Sequence, residues 1–351
     1  MPVDEAAFLR LVRVESSGPL ARLARLGLGG IAAGYRGGVA ARNLAFDRGW
    51  KETHRVGIPV VSVGNITLGG TGKTPAVEWI ARWFRARARR VAILSRGYGD
   101  VGMTGLNDEG RVLEENLPDV PHLQGRDRVA LARLAEEELA SEVLVLDDGF
   151  QHRRLGRNLD VVLLDALDPF GLGRIFPRGL LREPVGSLRR AGVVVLSRAD
   201  LVDEASRAAI RTQAETVAGP LRWAEACHAP RELIDAAGVT YPLADLDRPR
   251  VAAFCGIGNP EGFRRTLANL GANVAAFRAF PDHHSYAAAD VGDLGHWVRA
   301  AGADLALTTQ KDLVKLRTAA LGPVPLRALR VAWDLRAGED VLAGALAAIT
   351  P

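Results

Sequence analysis

The chain is 351 residues long yet holds only two cysteines, Cys227 and Cys255, and they form no Cys-x-x-Cys pair. That excludes a thiolate metal cluster and leaves no basis for a disulfide framework. Cys255 sits in the apolar run VAAFCGIG, where it is expected to pack as a small hydrophobe, and a reducing, cytosolic setting fits both cysteines. Also missing is any run of roughly 18 uncharged apolar residues, the minimum for a membrane span. Arg10, Arg13, Arg22 and Arg25 interrupt the N-terminal apolar residues, so no signal core is expected there. The chain is therefore predicted to be neither secreted nor integral. It lacks internal repeats and low-complexity tracts. Its basic residues are scattered, without the aromatic interleaving of a stacking surface, which argues against nucleic acid as a partner.

What is present is ordinary globular material, 48% hydrophobic and 25% charged, in a chain long enough for two domains plus an appendage. The formal net charge is +4, which suits phosphate ligands or an anionic membrane face. Residues 1–56 carry leucines among arginines. On a helical wheel Arg22, Arg25 and Arg36 share a sector of roughly 60°, with Leu20, Leu23, Ile31 and Tyr35 opposite. That pattern predicts a basic amphipathic helix lying on a membrane surface, or else a helical hairpin packed on the body. Gly27, Gly29, Gly30 and Gly34 weaken it as a helix.

From residue 58 the sequence alternates short apolar runs with amphipathic stretches. IPVVSVGN (58–65), RVAILSRG (90–97), SEVLVLDDG (141–149), LDVVLLDA (159–166) and AGVVVLSRAD (191–200) show no polar alternation, as expected of strands buried on both faces of a parallel sheet. Helical stretches at 75–88 and 128–140 separate several of them, which predicts a doubly wound α/β fold. After a break near 226–250, runs at 250–260, 272–284 and 303–312 alternate with helical stretches at 261–271 and 288–302, a second and smaller α/β unit. The predicted domains are thus 1–56, 57–225 and 226–351.

Between the first strand and helix lies ITLGGTGKT. A strand, a glycine-rich loop and a helix form a phosphate cradle: backbone amides of Thr67, Leu68, Gly69, Gly70, Thr71, Gly72, Lys73 and Thr74 turn inward, and the helix N-terminus adds positive potential. Lys73 would reach the β- and γ-phosphates of a nucleotide and the Thr74 hydroxyl would take Mg²⁺. Thr67 stands where the strict P-loop pattern has glycine, with Gly69 and Gly70 following. Asp147 and Asp148 end another apolar run, where carboxylates can hold Mg²⁺ directly or through water.

GNITLGGTGKTP (64–75), LSRGYG (94–99), DDGFQHRRL (147–155), LLREP (180–184), GIGNPEGF (256–263) and FPDHHSY (280–286) together resemble the tetraacyldisaccharide 4'-kinase family, in family order over about residues 35–315. The resemblance implies a P-loop NTPase-like lobe, a smaller Rossmann-like lobe and an active site between them. It implies ATP-dependent phosphorylation of the 4'-hydroxyl of a lipid A disaccharide 1-phosphate to give lipid IVA, and peripheral attachment to the cytoplasmic face of the inner membrane through the N-terminal region. No obligate protein partner is implied. By the same resemblance Asp108, in GLNDEG, stands for the proton-accepting base with His283 as its partner, although Asn107 replaces the usual glycine. GRDR (125–128) matches the next family landmark. Asp147, Asp148 and Glu183 would serve metal or phosphate, Arg182 the transferring phosphoryl group, and Gln151 and His152 would line the site. Asn259, at the end of a strand, and Lys311 with Asp312 are further cleft candidates, the last two equally suited to capping a helix. Rival readings are a nucleotide-switch ATPase and a soluble small-molecule kinase. The first lacks a second loop lysine in NITL, and the second would not need the amphipathic N-terminus.

Overall fold

The computed structural model describes residues 5–97 and 107–350. Two helices come first, α1 (Glu5–Val12) and the 29-residue α2 (Pro19–Asp47). An α/β half follows: β1 (Val60–Asn65), α3 (Lys73–Arg85), β2 (Val91–Ser95), α4 (Asp108–Asn116), β3 (His122–Gln124), α5 (Arg128–Glu137), β4 (Val143–Asp147), β5 (Leu159–Asp165), β6 (Val193–Ser197), α6 (Glu204–Ala218) and β7 (Trp223–Ile234). A short β8 (Thr240–Tyr241) leads to the second half: β9 (Arg250–Cys255), α7 (Pro260–Asn269), β10 (Asn273–Ala279), α8 (Ala288–Ala300), β11 (Leu305–Thr309), α9 (Gln310–Leu316), β12 (Ala320–Leu321), β13 (Val324–Ala337) and α10 (Glu339–Ala347).

One sheet runs through both halves in the order β10-β9-β11-β13-β7-β6-β5-β1-β4-β2-β3. Every neighbouring pair on this path is parallel except β7 with β13. The Val- and Leu-rich strands are buried on both faces, as continuous apolar runs require. Helix α3 sets Ala76, Val77, Ile80, Ala81 and Phe84 against Val61, Val63 and Val145 on one face, where Leu113 of α4 and Leu346 of α10 also pack. The opposite face is covered by α5 and α6. In the second half α8 and α7 cover the two faces.

Register explains how the two halves come to share a site. β6 runs Val194 to Leu196 beside Trp223 to Glu225, at the start of β7. β11 runs Ala306 to Thr309 beside Leu326 to Leu329, near the start of β13. Because β7 and β13 pair antiparallel, with Ala328 opposite Ile234 and Ala337 opposite Glu225, both half-sheets point their carboxyl ends toward the middle of this ribbon. Ligands of open α/β sheets bind beyond those ends, so the architecture aims two such edges at one cleft.

Several elements depart from the sequence expectation. The break read at 226–250 contains most of β7, and the boundary expected between 225 and 226 falls inside that strand. Its residues, WAEACHAPRELI, mix polar and apolar types with a proline, and the long antiparallel partner β13 supplies the pairing that local pattern does not announce. β10 stops at Ala279, just short of Pro281. Tyr98 and Gly99, the end of LSRGYG, lie outside the described residues.

Pro19 occupies the first turn of α2, a position that tolerates its missing amide. Leu20, Leu23, Leu26 and Ile31 are exposed, while Ala32, Val39 and Asn43 are buried. Tyr35 meets Phe176 edge-on at 6.2 Å, and Arg25 bonds the Ser16 carbonyl at 2.9 Å. Among the described residues nothing beyond the helix's own backbone lies within 4 Å of where a Cβ would stand at Gly27, Gly29, Gly30 or Gly34. Among the described residues no helix is long and apolar enough to cross a membrane.

Candidate active site

β1 ends at Asn65, and the next residues remain tied to a neighbouring segment. The Arg182 amide donates to the Ile66 carbonyl at 2.7 Å, and the Leu68 amide donates to the Leu180 carbonyl at 2.7 Å. Thr67 bridges Leu181 and its carbonyl accepts from Asn65 at 2.9 Å. This corrects the expectation for the Leu68 amide. The Leu68 amide is already spent, and the open cradle starts at Gly69.

Gly69 and Gly72 have φ of +102° and +81°, a region that glycine alone enters freely. Gly72 is constrained twice, since a Cβ there would lie 2.2 Å from His228 Nε2. It caps α3, so Lys73 and Thr74 open that helix. Arg198 donates to the Gly70 carbonyl at 2.8 Å and also pairs with Asp165, holding the loop from β6.

Lys73 Nζ lies 3.6 Å from Asp148 Oδ1 and 3.5 Å from Asn65 Oδ1. Asp147, at the end of β4, is buried with its Oδ1 unpartnered. Burial, then the charge of Glu109, lifts its carboxyl to about 7 against the pull of Lys73. Asp148 turns the other way, with φ +50°. Both its oxygens accept from Arg182 Nη1 at 2.9 Å, and Arg128 donates to its carbonyl at 3.0 Å. Burial works to raise this carboxyl, but Lys73 and Arg182 outweigh it and hold it below the usual value. Expected as a metal ligand, Asp148 is instead engaged by these cations.

Glu183 also departs from its expected metal role. It is fully buried, and its oxygens are taken by Arg42 at 3.0 Å, Asn43 at 3.1 Å and Arg190 at 2.8 Å. No lone pair faces the cleft from a carboxylate so enclosed. Gln151 braces β1 by donating to the Asn65 carbonyl at 2.9 Å. Burial pushes the His152 imidazole down to about 4, leaving it neutral near pH 7.

Asn107 caps α4 by accepting from the Gly110 amide at 2.9 Å. Asp108 and Glu109 fall in the first turn, where the helix dipole favours negative charge. From there they reach the second half. Asp108 Oδ2 lies 2.8 Å from His283 Nδ1, and Glu109 Oε1 lies 2.6 Å from Lys311 Nζ. Burial works to raise the Asp108 carboxyl, yet the His283 hydrogen bond and the charges of Lys311 and His283 hold it at about 2. His283 is raised, chiefly by its bond to Asp108.

Lys311 lies in the first turn of α9, which Gln310 opens, and the cap is Thr309 rather than Lys311 or Asp312. Asp312 points inward, accepting from the Gly256 amide at 3.0 Å and Tyr286 at 3.1 Å, and so fastens α9 to the GIGNP turn. Asn259 caps α7, accepting from Gly262 at 2.9 Å.

The arrangement places Lys73, Arg182 and Arg128 around the Asp147–Asp148 pair and sets a carboxylate–imidazole pair opposite. It is equipped to hold a polyphosphate and to take a proton from a hydroxyl. The sequence expectation named Lys73, Asp108, Asp147, Asp148, Arg182 and His283, but not Arg128, Asn65 or the Glu109–Lys311 pairing. Arg128 carried a signal as the last residue of the GRDR run, and the structure buries it just after the capping Asp127 of α5.

Comparison with known proteins follows the same lines. Residues 24–349 match the family model described as tetraacyldisaccharide-1-P 4'-kinase. The tetraacyldisaccharide 4'-kinase of Anaeromyxobacter dehalogenans is 45% identical over 351 residues, covering 95% of this chain and 93% of that protein. That of Geobacter sulfurreducens is 39% identical, covering 88% of each chain. The crystal structure of LpxK from Aquifex aeolicus in complex with ATP superposes with a TM-score of 0.72 at 30% identity, covering 93% of this chain and all of that one.

Proposed function

The chain belongs to the tetraacyldisaccharide 4'-kinase family, and from that premise we propose how its residues act. The enzyme transfers the γ-phosphate of ATP to the 4'-hydroxyl of a tetraacyldisaccharide 1-phosphate, the lipid A precursor. The carrying observation is the meeting of the phosphate cradle with the Asp108–His283 pair at the converging ends of the two half-sheets.

The triphosphate lies along the amides of residues 69–74, with Lys73 and Arg182 neutralising charge on the group in transfer. Asp108, oriented by His283, accepts the hydroxyl proton as the sugar oxygen bonds to phosphorus and the bond to ADP breaks. Positioning and charge stabilisation supply most of the acceleration in such transfers. The pairing of Asp108 with His283 and of Glu109 with Lys311 joins the two halves.

The donors present suit Mg²⁺. Among the described residues no three carboxylate, imidazole or thiolate groups form a ready metal cage. Asp147 nevertheless offers a buried oxygen without a partner at the end of β4, the strand against which α3, opening with Lys73 and Thr74, packs. An oxygen-seeking cation bound by one or two protein groups, phosphate and water fits that set. Thr74 and Asp147 would hold it, and it would supply charge neutralisation at the β- and γ-phosphates.

The exposed row of Leu20, Leu23, Leu26 and Ile31 on α2 supports docking on an anionic membrane surface, with its arginines at headgroup level. This would place the enzyme on the cytoplasmic face of the inner membrane, where an acylated acceptor is reached without leaving the bilayer. The direct test is transfer of labelled γ-phosphate from ATP to purified tetraacyldisaccharide 1-phosphate in mixed micelles. Labelled lipid product supports the reading. ATP hydrolysis at the same rate without the acceptor would favour a nucleotide switch instead.

A further inference from the structure

The carboxyl-terminal part of α2 lies against the two segments that carry the site's charged groups. Asn43, buried on the inner face of this helix, donates to Glu183 Oε2 at 3.1 Å, and Arg42 donates to Oε1 at 3.0 Å. Arg190 completes the enclosure at 2.8 Å. On the other side Arg153, which follows the Asp147–Asp148 strand end, donates to the Asn43 carbonyl at 3.0 Å and to Asp47 at 2.7 Å. One helical turn thus grips both motif segments.

Glu183 directly follows Arg182. The Arg182 backbone is fixed on its amino side by the bond from its amide to the Ile66 carbonyl at 2.7 Å. On its carboxyl side the fixing point is the buried Glu183 carboxylate, followed by Pro184. An arginine side chain is long and loses much rotamer freedom when it is held in one place. Its aim therefore depends on how rigidly the backbone at its root is held. A buried carboxylate with three charged or amide donors is a rigid anchor, and two of the three come from α2.

We propose that the carboxyl-terminal turn of α2 belongs to the catalytic scaffold: Arg42 and Asn43 act through Glu183 as positioning residues that aim Arg182 at the transferring phosphoryl group. The N-terminal helix then has a second task beyond any contact with lipid. Removing it would cost turnover even on a freely dispersed acceptor. This inference rests on the reading of Arg182 given above.

The test is a double-mutant cycle on the full chain, with kcat and the KM for ATP measured in mixed micelles. Asn43→Ala removes one hydrogen bond to Glu183, and Glu183→Gln keeps the shape while removing the charge. Asn43→Ala carries the test if Glu183→Gln folds poorly, as a melting curve would reveal. The expected result is a loss of kcat of about fivefold or more for Asn43→Ala, an unchanged KM for ATP, and no additional loss when either substitution is placed in an Arg182→Ala background, as for groups acting as a unit. Equal losses in the wild-type and Arg182→Ala backgrounds overturn the proposal while leaving the Arg182 role intact. So does wild-type kcat for Asn43→Ala. Wild-type turnover of Arg182→Ala by itself overturns the Arg182 role, and this proposal with it.

Discussion

His283 Nδ1 lies 2.8 Å from Asp108 Oδ2, although 175 positions separate them in sequence. One stands at the first turn of α4 and the other follows β10, so the pair exists only because both half-sheets point their carboxyl ends at the same place. The bond holds Asp108 at about 2 and raises His283 above its usual 6.5.

A pH dependence follows with a definite sign. While His283 is protonated, its hydrogen bond and charge hold Asp108 at about 2, too weak a base to take the hydroxyl proton. kcat/KM is therefore expected to rise as pH climbs through the raised His283 value, above 6.5. A pH–rate profile checks this, and His283→Asn should erase that limb. For stability the signs are opposite. The His283 contribution is full below 6.5 and is lost as pH rises through its folded value. The Asp108 contribution is full above 3.8 and is lost as pH falls toward 2.

Lys73→Ala is expected to abolish phosphoryl transfer while leaving the melting temperature nearly unchanged. The lysine side chain packs no core, and its loss removes the cation nearest Asp148 within the loop. Labelled-phosphate transfer and a thermal melt check this together. Near-normal turnover would contradict the phosphate-cradle assignment.

Gly72→Ala should fail for two reasons that act together. Its φ of +81° disfavours any side chain, at roughly 1–2 kcal/mol. The new methyl would also collide with His228. The expected outcome is lower stability and a loss of the thermal shift that ATP produces in the unaltered protein, read by melting with and without nucleotide.

Replacing Leu20, Leu23 and Ile31 together by serine should leave the melting temperature within a degree or two, about 0.5 kcal/mol, because all three are exposed. Co-sedimentation with anionic liposomes should fall. Binding that persisted at the unaltered level would remove α2 as the docking surface.

Much of the site was legible because its residues sit where strands end. Lys73, Asp147 and Asp148 follow apolar runs that announce parallel strands, and carboxyl ends of such strands collect ligands. Asp108 and His283 became legible only through the family resemblance, since neither adjoins a strand in β1 to β6. The β7–β13 ribbon was not legible. Its stability comes from pairing between segments about a hundred residues apart, which no local window displays. For the same reason Glu183 was misassigned. A glutamate in an Arg-Glu-Pro run gives no sign that a helix from the N-terminus will enclose it with Arg42 and Asn43. Leu68 was misplaced because the segment that spends its amide, around Leu180, is distant in sequence.

Single-turnover transfer from ATP to the tetraacyldisaccharide 1-phosphate, measured for Asp108→Ala, His283→Ala and the double variant, tests most directly whether the two halves supply one proton-accepting unit. The expected result is a loss of at least about tenfold for each single variant, with the double variant no slower than the worse of the two. Losses that multiply, or a His283→Ala variant as fast as the unaltered enzyme, would contradict it.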